Sequence, residues 1–242
     1  MAFYLKWLIL SRLMGSPLGA LAVLIVGGFV VDRFTLGLLP RPLRGIGRWS
    51  RRLELRRILR NNPRDRRARF ELADQLQRSR PATAMELLRV NLEAGDTDPG
   101  TLLVMAVACF RAHHSEQAEV FLREAIKDAP QFRNGALWLE LGRGQLEAGD
   151  ARGAVDSLRE LLLLRPGSIE GKVLLGRALT GIDDTAGSAA LRRQAWEDYR
   201  SAPLFQRREQ RLWAYRAQPW RAVPWVLGLV LLIAIVWVWK VG

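Results

Sequence analysis

The residues with the most reactive side chains are few and do not form a recognisable site. Cys109 is the only cysteine of the chain, so an intramolecular disulfide and a cysteine-based zinc site are both excluded. It lies in the apolar run 102–110, which predicts a helix in which the thiol is buried and inert. The only histidines, His113 and His114, follow in a predicted turn close to Glu116. A metal site needs more ligands, and a nucleophile needs a base that a third group orients.

The sequence also predicts no phosphate-binding loop, because no convincing strand precedes a glycine-rich turn. We therefore predict no catalytic residue, no metal ligand and no cofactor, and we do not expect an enzyme. An enzymatic role would require a site built together with partner chains.

Charge is distributed unevenly along the chain, whose formal net charge is +13. Residues 1–69 carry 15 Lys/Arg against 3 Asp/Glu, and residues 201–242 carry 6 against 1. Residues 70–200 carry 16 against 20. A nucleic-acid-binding repeat would need a basic groove, so this mildly acidic middle predicts that nucleic acid is not the partner.

Two uncharged stretches, residues 13–31 and 222–239, have the length and composition of membrane-spanning helices. The first is not followed by a cleavage pattern before Asp32, and a dense basic stretch comes next, which disfavours a signal peptide. The second has tryptophans at both ends, typical of interfacial belts: Trp220, Trp225, Trp237 and Trp239. We interpret both as transmembrane helices.

The arginines predict the orientation of these two helices. Thirteen arginines lie between Arg33 and Arg69, and five more precede the second helix, whereas the outer ends carry few positive residues. Positive residues near a span stay on the cytoplasmic side. We expect a bacterial inner-membrane protein with a cytoplasmic middle and both termini on the outer side.

The arginine-rich segment 41–69 interleaves apolar and basic residues, which suits an amphipathic helix on an anionic leaflet. The candidate membrane-surface residues are Arg48, Trp49, Arg51, Arg52, Arg56, Arg57 and Arg60. Alternatively, these charges would serve only to set the membrane topology. Lipid binding and topology setting therefore both stay open.

Gly15 and Gly19 form a G-x-x-x-G spacing in the first predicted span. Such spacing permits close helix pairing, within one chain or between copies. An oligomer formed through the transmembrane helices is therefore an open alternative.

A repeat organises the middle of the chain. Four residues recur after 36 positions, namely Ala118, Leu122, Ala125 and Pro130 as Ala154, Leu158, Leu161 and Pro166, and Ala84 and Leu88 precede the first two by 34. An apolar helical stripe stands before each set. A period near 34 is typical of helical solenoids, in which each helix pair is covered by its neighbour.

The repeat pattern of residues 63–199 resembles the motif of the tetratricopeptide repeat (TPR) family. The third unit matches best, with Trp138, Leu141, Gly142, Gly149, Asp150, Ala154, Leu158, Leu161 and Pro166. Cys109 and Gln145 stand where the family usually has tyrosine. The resemblance implies an all-α, TPR-like helical solenoid of about three to four helix pairs, here placed between an N-terminal and a C-terminal transmembrane helix.

In this family the first helix of each pair lines a concave groove that binds protein segments. The resemblance assigns to that groove Phe70, Asp74, Gln77, Leu103, Val107, Phe110, Arg111, Leu139, Arg143, Leu146 and Arg177. Apolar positions occupy its middle and arginines its border, which suits an amphipathic helix or an extended segment of a partner.

The predicted layout follows the chain from end to end. It comprises a short amphipathic N-terminus (1–12), a transmembrane helix (13–31), a basic juxtamembrane segment (32–62), the repeat domain (63–200), a basic aromatic connector (201–221), a second transmembrane helix (222–239) and a tail (240–242). We expect a scaffold that recruits a protein to an envelope, secretion or polysaccharide assembly, or to a membrane protease. The alternative is an anionic-lipid or nucleic-acid module that acts through segment 41–69.

Overall fold

The computed structural model describes residues 42–223, and within them it contains ten α-helices and no strand. The helices are α1 Pro42–Asn61, α2 Arg66–Leu76, α3 Pro81–Glu93, α4 Pro99–Arg111, α5 Ser115–Asp128, α6 Ala136–Ala148, α7 Ala151–Leu164, α8 Ile169–Gly181, α9 Thr185–Ser201 and α10 Leu204–Ala217. A 3₁₀ turn, Pro219–Ala222, follows. The all-α prediction is thus confirmed for the described residues.

Within the described residues, Gly45–Gln218 forms one compact unit, here called the repeat unit. Residues 42–44 and 219–223 are assigned to a separate unit. The packing below is therefore that of the repeat unit.

Local sequence signals fix where the helices of the repeat unit begin. Side chains just before five helices accept a hydrogen bond from a backbone N–H of the first turn: Asp65, Asp98, Asp150, Ser168 and Asp184. These bonds satisfy donors that a helix cannot pair internally. Proline occupies the first position of α3 and α4, where its missing N–H costs nothing.

Successive helices form hairpins: α2 with α3, α4 with α5, α6 with α7 and α8 with α9. The repeated alanines and leucines of the second helices are fully buried, as the period predicts: Ala84, Leu88, Ala118, Leu122, Ala154 and Leu158. Gly142 permits the close crossing of α6 and α7, because a Cβ there would lie 2.6 Å from Leu158 Cγ. Each second helix also contacts the first helix of the next hairpin.

Helices α1 and α10 extend the repeat unit beyond the predicted domain of residues 63–200. Leu55 of α1 is buried in the core, with Ile58 and Leu59 packed against it. Helix α10 contacts α8 and α9 and buries Ala214 and Ala217. The predicted juxtamembrane segment and connector therefore contribute helices to the packed unit.

None of the helices in residues 42–223 is long and apolar enough to cross a membrane. The predicted spans, 13–31 and 222–239, lie outside the described residues except for Ala222 and Val223, as do the predicted N-terminus 1–12, the tail 240–242 and the G-x-x-x-G pair. Those assignments stay predictions.

Candidate functional site

The groove residues of α4 are buried rather than open. Leu103 is 8% exposed and Val107 is 6% exposed, and every position of α4 from Gly100 to Cys109 is buried. The helix in the middle of the predicted groove therefore belongs to the core of the repeat unit.

The remaining groove residues stay at least partly accessible. Phe70, Gln77, Phe110, Leu139, Arg143 and Leu146 are half-buried, and Asp74, Arg111 and Arg177 are exposed. Leu139, Arg143 and Leu146 lie at i, i+4 and i+7 on α6 and so share one stripe. We call the half-buried apolar residues Phe70, Phe110, Leu139 and Leu146 the groove face.

The two phenyl rings of the groove face lie between first helices, and Gly144 admits one of them. A Cβ at Gly144 would lie 2.0 Å from Cζ of Phe110, so the ring of α4 rests directly on the backbone of α6. The ring of Phe70 also approaches α4, but at Gly100 a Cβ would meet its Cζ at 3.7 Å, an ordinary van der Waals contact. Both rings thus bridge neighbouring hairpins, and only the position of Phe110 requires a glycine beneath it.

Arg143, predicted at the groove border, is held by two carboxylates. Its guanidinium donates to Glu140 Oε1 at 2.5 Å and also to Glu170, while Arg78 donates to the same Glu140 oxygen at 3.2 Å. Burial alone would lower the pKa of Arg143, but the attraction of the two carboxylates outweighs it and raises the pKa. We call Arg78, Glu140, Arg143 and Glu170 the charged bridge; it joins residues of the first, third and fourth hairpins.

Sequence reasoning found only one member of the charged bridge. The i, i+3 spacing of Glu140 and Arg143 was a usable signal, because such pairs meet on a helix surface. Arg78 is 62 residues from Glu140 in the chain, so only the superhelical packing of the hairpins brings them together.

Several clefts open on the repeat unit, and two of them bear on the predictions. One of about 360 Å³ places the predicted groove residues Asp74 and Gln77 beside Arg48 and Arg52 of α1. The larger, of about 590 Å³, lies among α5, α6 and α7 around Trp138 and was not predicted. In the sequence, the only indication of this larger cleft was Trp138, the bulky residue at the start of the third repeat.

The candidate membrane-surface residues divide into two groups. Arg51 forms a two-bond pair with Glu71, at 2.6 and 2.7 Å, and Arg52 donates to the side chain and backbone of Gln75. These two arginines dock α1 on α2. The others are exposed: Arg48, Trp49, Arg56, Arg57 and Arg60.

Cys109 lies in a helix, and the two histidines lie in a turn, as the sequence predicted. Cys109 is fully buried, and burial raises the pKa of its thiol to about 11. His113 and His114 lie between α4 and α5, and both are exposed. Residues 42–223 contain no group of three or more His, Cys, Asp or Glu side chains arranged to hold a metal ion.

No family model matches this chain, and neither does any curated protein. Solved structures do match. TTC0263, a thermophilic TPR protein of Thermus thermophilus, aligns at a TM-score of 0.54 and 21% identity, covering 72% of this chain and 93% of that one.

The fold is a TPR-like helical repeat. Two further structures support the assignment: PilF of Pseudomonas aeruginosa (TM-score 0.55, 18% identity, 72% of this chain and 83% of that one) and a MamA protein (0.53, 19%, 60% and 84%). At these identities the comparisons establish the TPR-like fold alone. The predicted resemblance is confirmed at that level.

Proposed function

We propose that this protein is a membrane-anchored scaffold whose TPR-like repeat unit binds a segment of another protein and recruits it to a membrane assembly. The observation that carries the proposal is the groove face, where half-buried aromatic and aliphatic side chains line first helices of consecutive hairpins. Aromatic and leucine side chains at the edge of a helical groove are suited to the apolar side of a partner helix.

The proposed contact area is narrower than the sequence predicted. Leu103 and Val107 are in the core, and Arg143 is committed to Glu140 and Glu170. The partner would therefore contact the groove face, with Arg111 at its border. Arg111 lies 3.9 Å from Glu147, with both side chains well exposed, so this pair is weak and can exchange for a partner carboxylate.

Membrane anchoring and orientation rest on the sequence. The uncharged stretches 13–31 and 222–239 would anchor the repeat unit, and the flanking arginines would hold it on the cytoplasmic side of a bacterial inner membrane. An envelope, secretion or polysaccharide assembly, or a membrane protease, is the proposed destination.

A nucleic-acid role for segment 41–69 has less support. Several of its arginines are used inside the protein: Arg51 and Arg52 bond to α2, Arg66 donates to the Ala94 carbonyl and Arg69 is buried. The groove of a repeat protein that reads RNA would have to be basic, whereas here the predicted border residue Arg143 is paired with Glu140 and Glu170.

Site-specific photocrosslinking in cells tests the scaffold proposal. A photoreactive amino acid is placed at Phe110 or Leu139 in the full chain, and at Val120 as a control, which is 62% exposed on α5. We expect the two groove positions to trap the same protein and Val120 not to trap it. Trapping of that protein should fall at least tenfold in a Leu146→Asp chain.

The scaffold proposal would be wrong if the groove positions gave no discrete adduct, or the same adducts as Val120. Resistance of the full chain to alkaline extraction from membranes tests anchoring separately.

A further inference from the structure

Helix α1 has two chemically different sides. Leu55, Ile58 and Leu59 pack into the core beside the docking residues Arg51 and Arg52. At about 100° per residue, the opposite side carries a continuous set in which apolar and basic residues alternate. That set, here called the outer face of α1, consists of Trp49, Leu53, Arg56, Arg57 and Arg60.

The outer face exposes large apolar groups together with its charges. Trp49 is 64% exposed and Leu53 is 45% exposed, and the three arginines beside them are exposed as well. Glu54 accepts a bond from Arg51 at 2.9 Å, although Arg51 also pairs with Glu71, and its helical position lies outside the outer face. The outer face therefore presents three arginines and no acid, with its two apolar residues toward the N-terminal end of α1.

We propose that the outer face of α1 lies on an anionic lipid surface, with Trp49 and Leu53 at the headgroup level and the three guanidinium groups on lipid phosphates. The proposal rests on the membrane anchoring proposed above. The new proposal makes the anchoring more specific, because it assigns the lipid contact to one face of α1. It excludes Arg51 and Arg52 from that contact, since both are bonded to α2.

The charges on the outer face of α1 favour a lipid contact over the alternative that it is an ordinary solvent-exposed helix surface. The exposed side of α5 also carries an apolar residue, Val120, but the charges along that helix are mixed: Glu116, Arg123, Glu124, Lys127 and Asp128. The outer face of α1 has a single sign. Arginine with tryptophan on one side of a helix is the composition of interfacial helices on anionic membranes.

Helix α10, which precedes the second uncharged stretch, has a related but mixed composition. Leu204, Phe205 and Leu212 are each at least 68% exposed, and Arg208 and Arg216 share their side of the helix with the exposed acid Glu209. Thus the two described helices closest in sequence to the predicted spans both expose apolar residues among arginines.

An environment-sensitive fluorophore at position 53 tests the proposal in the full chain. A Leu53→Cys variant can be labelled selectively, because native Cys109 is buried and its pKa is raised. The labelled protein is placed in nanodiscs of neutral lipid, or of neutral lipid with anionic phosphatidylglycerol, that contain a headgroup-level quencher. Val120→Cys provides the control position.

We expect anionic lipid to increase quenching at position 53 at least twofold and to leave position 120 unchanged. Arg56→Gln/Arg57→Gln/Arg60→Gln should abolish that increase. The matched control is Arg152→Gln/Arg159→Gln/Arg165→Gln, which removes three exposed arginines at α7 and should leave the increase intact.

Equal quenching at positions 53 and 120 in anionic nanodiscs would overturn the proposal, as would equal effects of the two triple variants. Loss of RNA or protein binding in the first triple variant, with quenching unchanged, would assign the outer face to that other partner and also overturn it. Alkaline extraction of cell membranes that contain the same variants reports anchoring independently, so failure of the lipid face and failure of the anchor are distinguishable.

Discussion

Gly142 and Gly144 lie on different sides of α6 and let two neighbours approach its backbone. Gly142 faces α7, where a Cβ would lie 2.6 Å from Leu158 Cγ, and Gly144 lies under the ring of Phe110. The first contact is within a hairpin and the second is between hairpins. The second contact depends on how neighbouring hairpins stack.

Gly142→Ala should destabilise the repeat unit. Overpacking against Leu158 costs about 1–3 kcal/mol, and the better helix propensity of alanine offsets about 1 kcal/mol. We expect a net loss of roughly 1 kcal/mol in denaturant unfolding followed by circular dichroism. Gly47→Ala is the control, because nothing lies within 4 Å of a Cβ there. A Gly142→Ala protein as stable as the Gly47→Ala protein would contradict the packing described.

At the scale of elements, α1 is attached to α2 by an ion pair as well as by apolar contacts. The hydrogen bonds from Arg51 lower the pKa of Glu71, and the same pairing raises the pKa of Arg51. A glutamate with a lowered pKa binds fewer protons in the folded state than in the unfolded state. Its stabilising effect is therefore present above the ordinary glutamate pKa and is lost as pH falls through the folded value.

Glu71→Gln should lower the thermal midpoint at pH 7 by on the order of 2–4 °C, and the variant should lose less stability than the parent between about pH 5 and 3. Thermal scans across this pH range measure both effects. The comparison is Glu93→Gln, which removes an exposed i, i+4 pair with Arg89 and should change little. Parallel pH profiles for the parent and Glu71→Gln would show that the pair does not hold α1.

At the scale of the whole repeat unit, the charged bridge connects the third hairpin both to the first, which is not its neighbour in the chain, and to the fourth. Glu140 accepts bonds from both Arg78 and Arg143, and Arg143 also reaches Glu170. Arg143 is only 16% exposed, so its charge depends on these carboxylates for compensation. The bridge thus adds contacts between hairpins to those made by apolar packing.

Glu140→Gln should reduce the free energy of unfolding by about 1–3 kcal/mol, because it leaves a largely buried guanidinium with one carboxylate instead of two. Denaturant unfolding measures the change. Glu147→Gln, which removes an exposed carboxylate 3.9 Å from Arg111, should cost little. Equal costs for the two substitutions would mean that the bridge contributes no more than a surface ion pair.

The sequence by itself determined the helices and their pairing, because these depend on local features. Aspartates and prolines mark helix starts, and α5 and α7 end two residues before Pro130 and Pro166. The spacing of Ala84, Ala118 and Ala154 reports the hairpin period directly, since each must face its own first helix.

Only the tertiary structure decided which of the predicted functional residues are accessible. Leu103 and Val107 have the composition expected of a groove, yet they are buried with the rest of α4. Arg51 and Arg57 look alike in the sequence, but Arg51 meets a carboxylate on α2 whereas Arg57 is exposed. The physical reason is the same in both cases: burial and ion pairing depend on residues 20 or more positions away, which only the packed hairpins bring together.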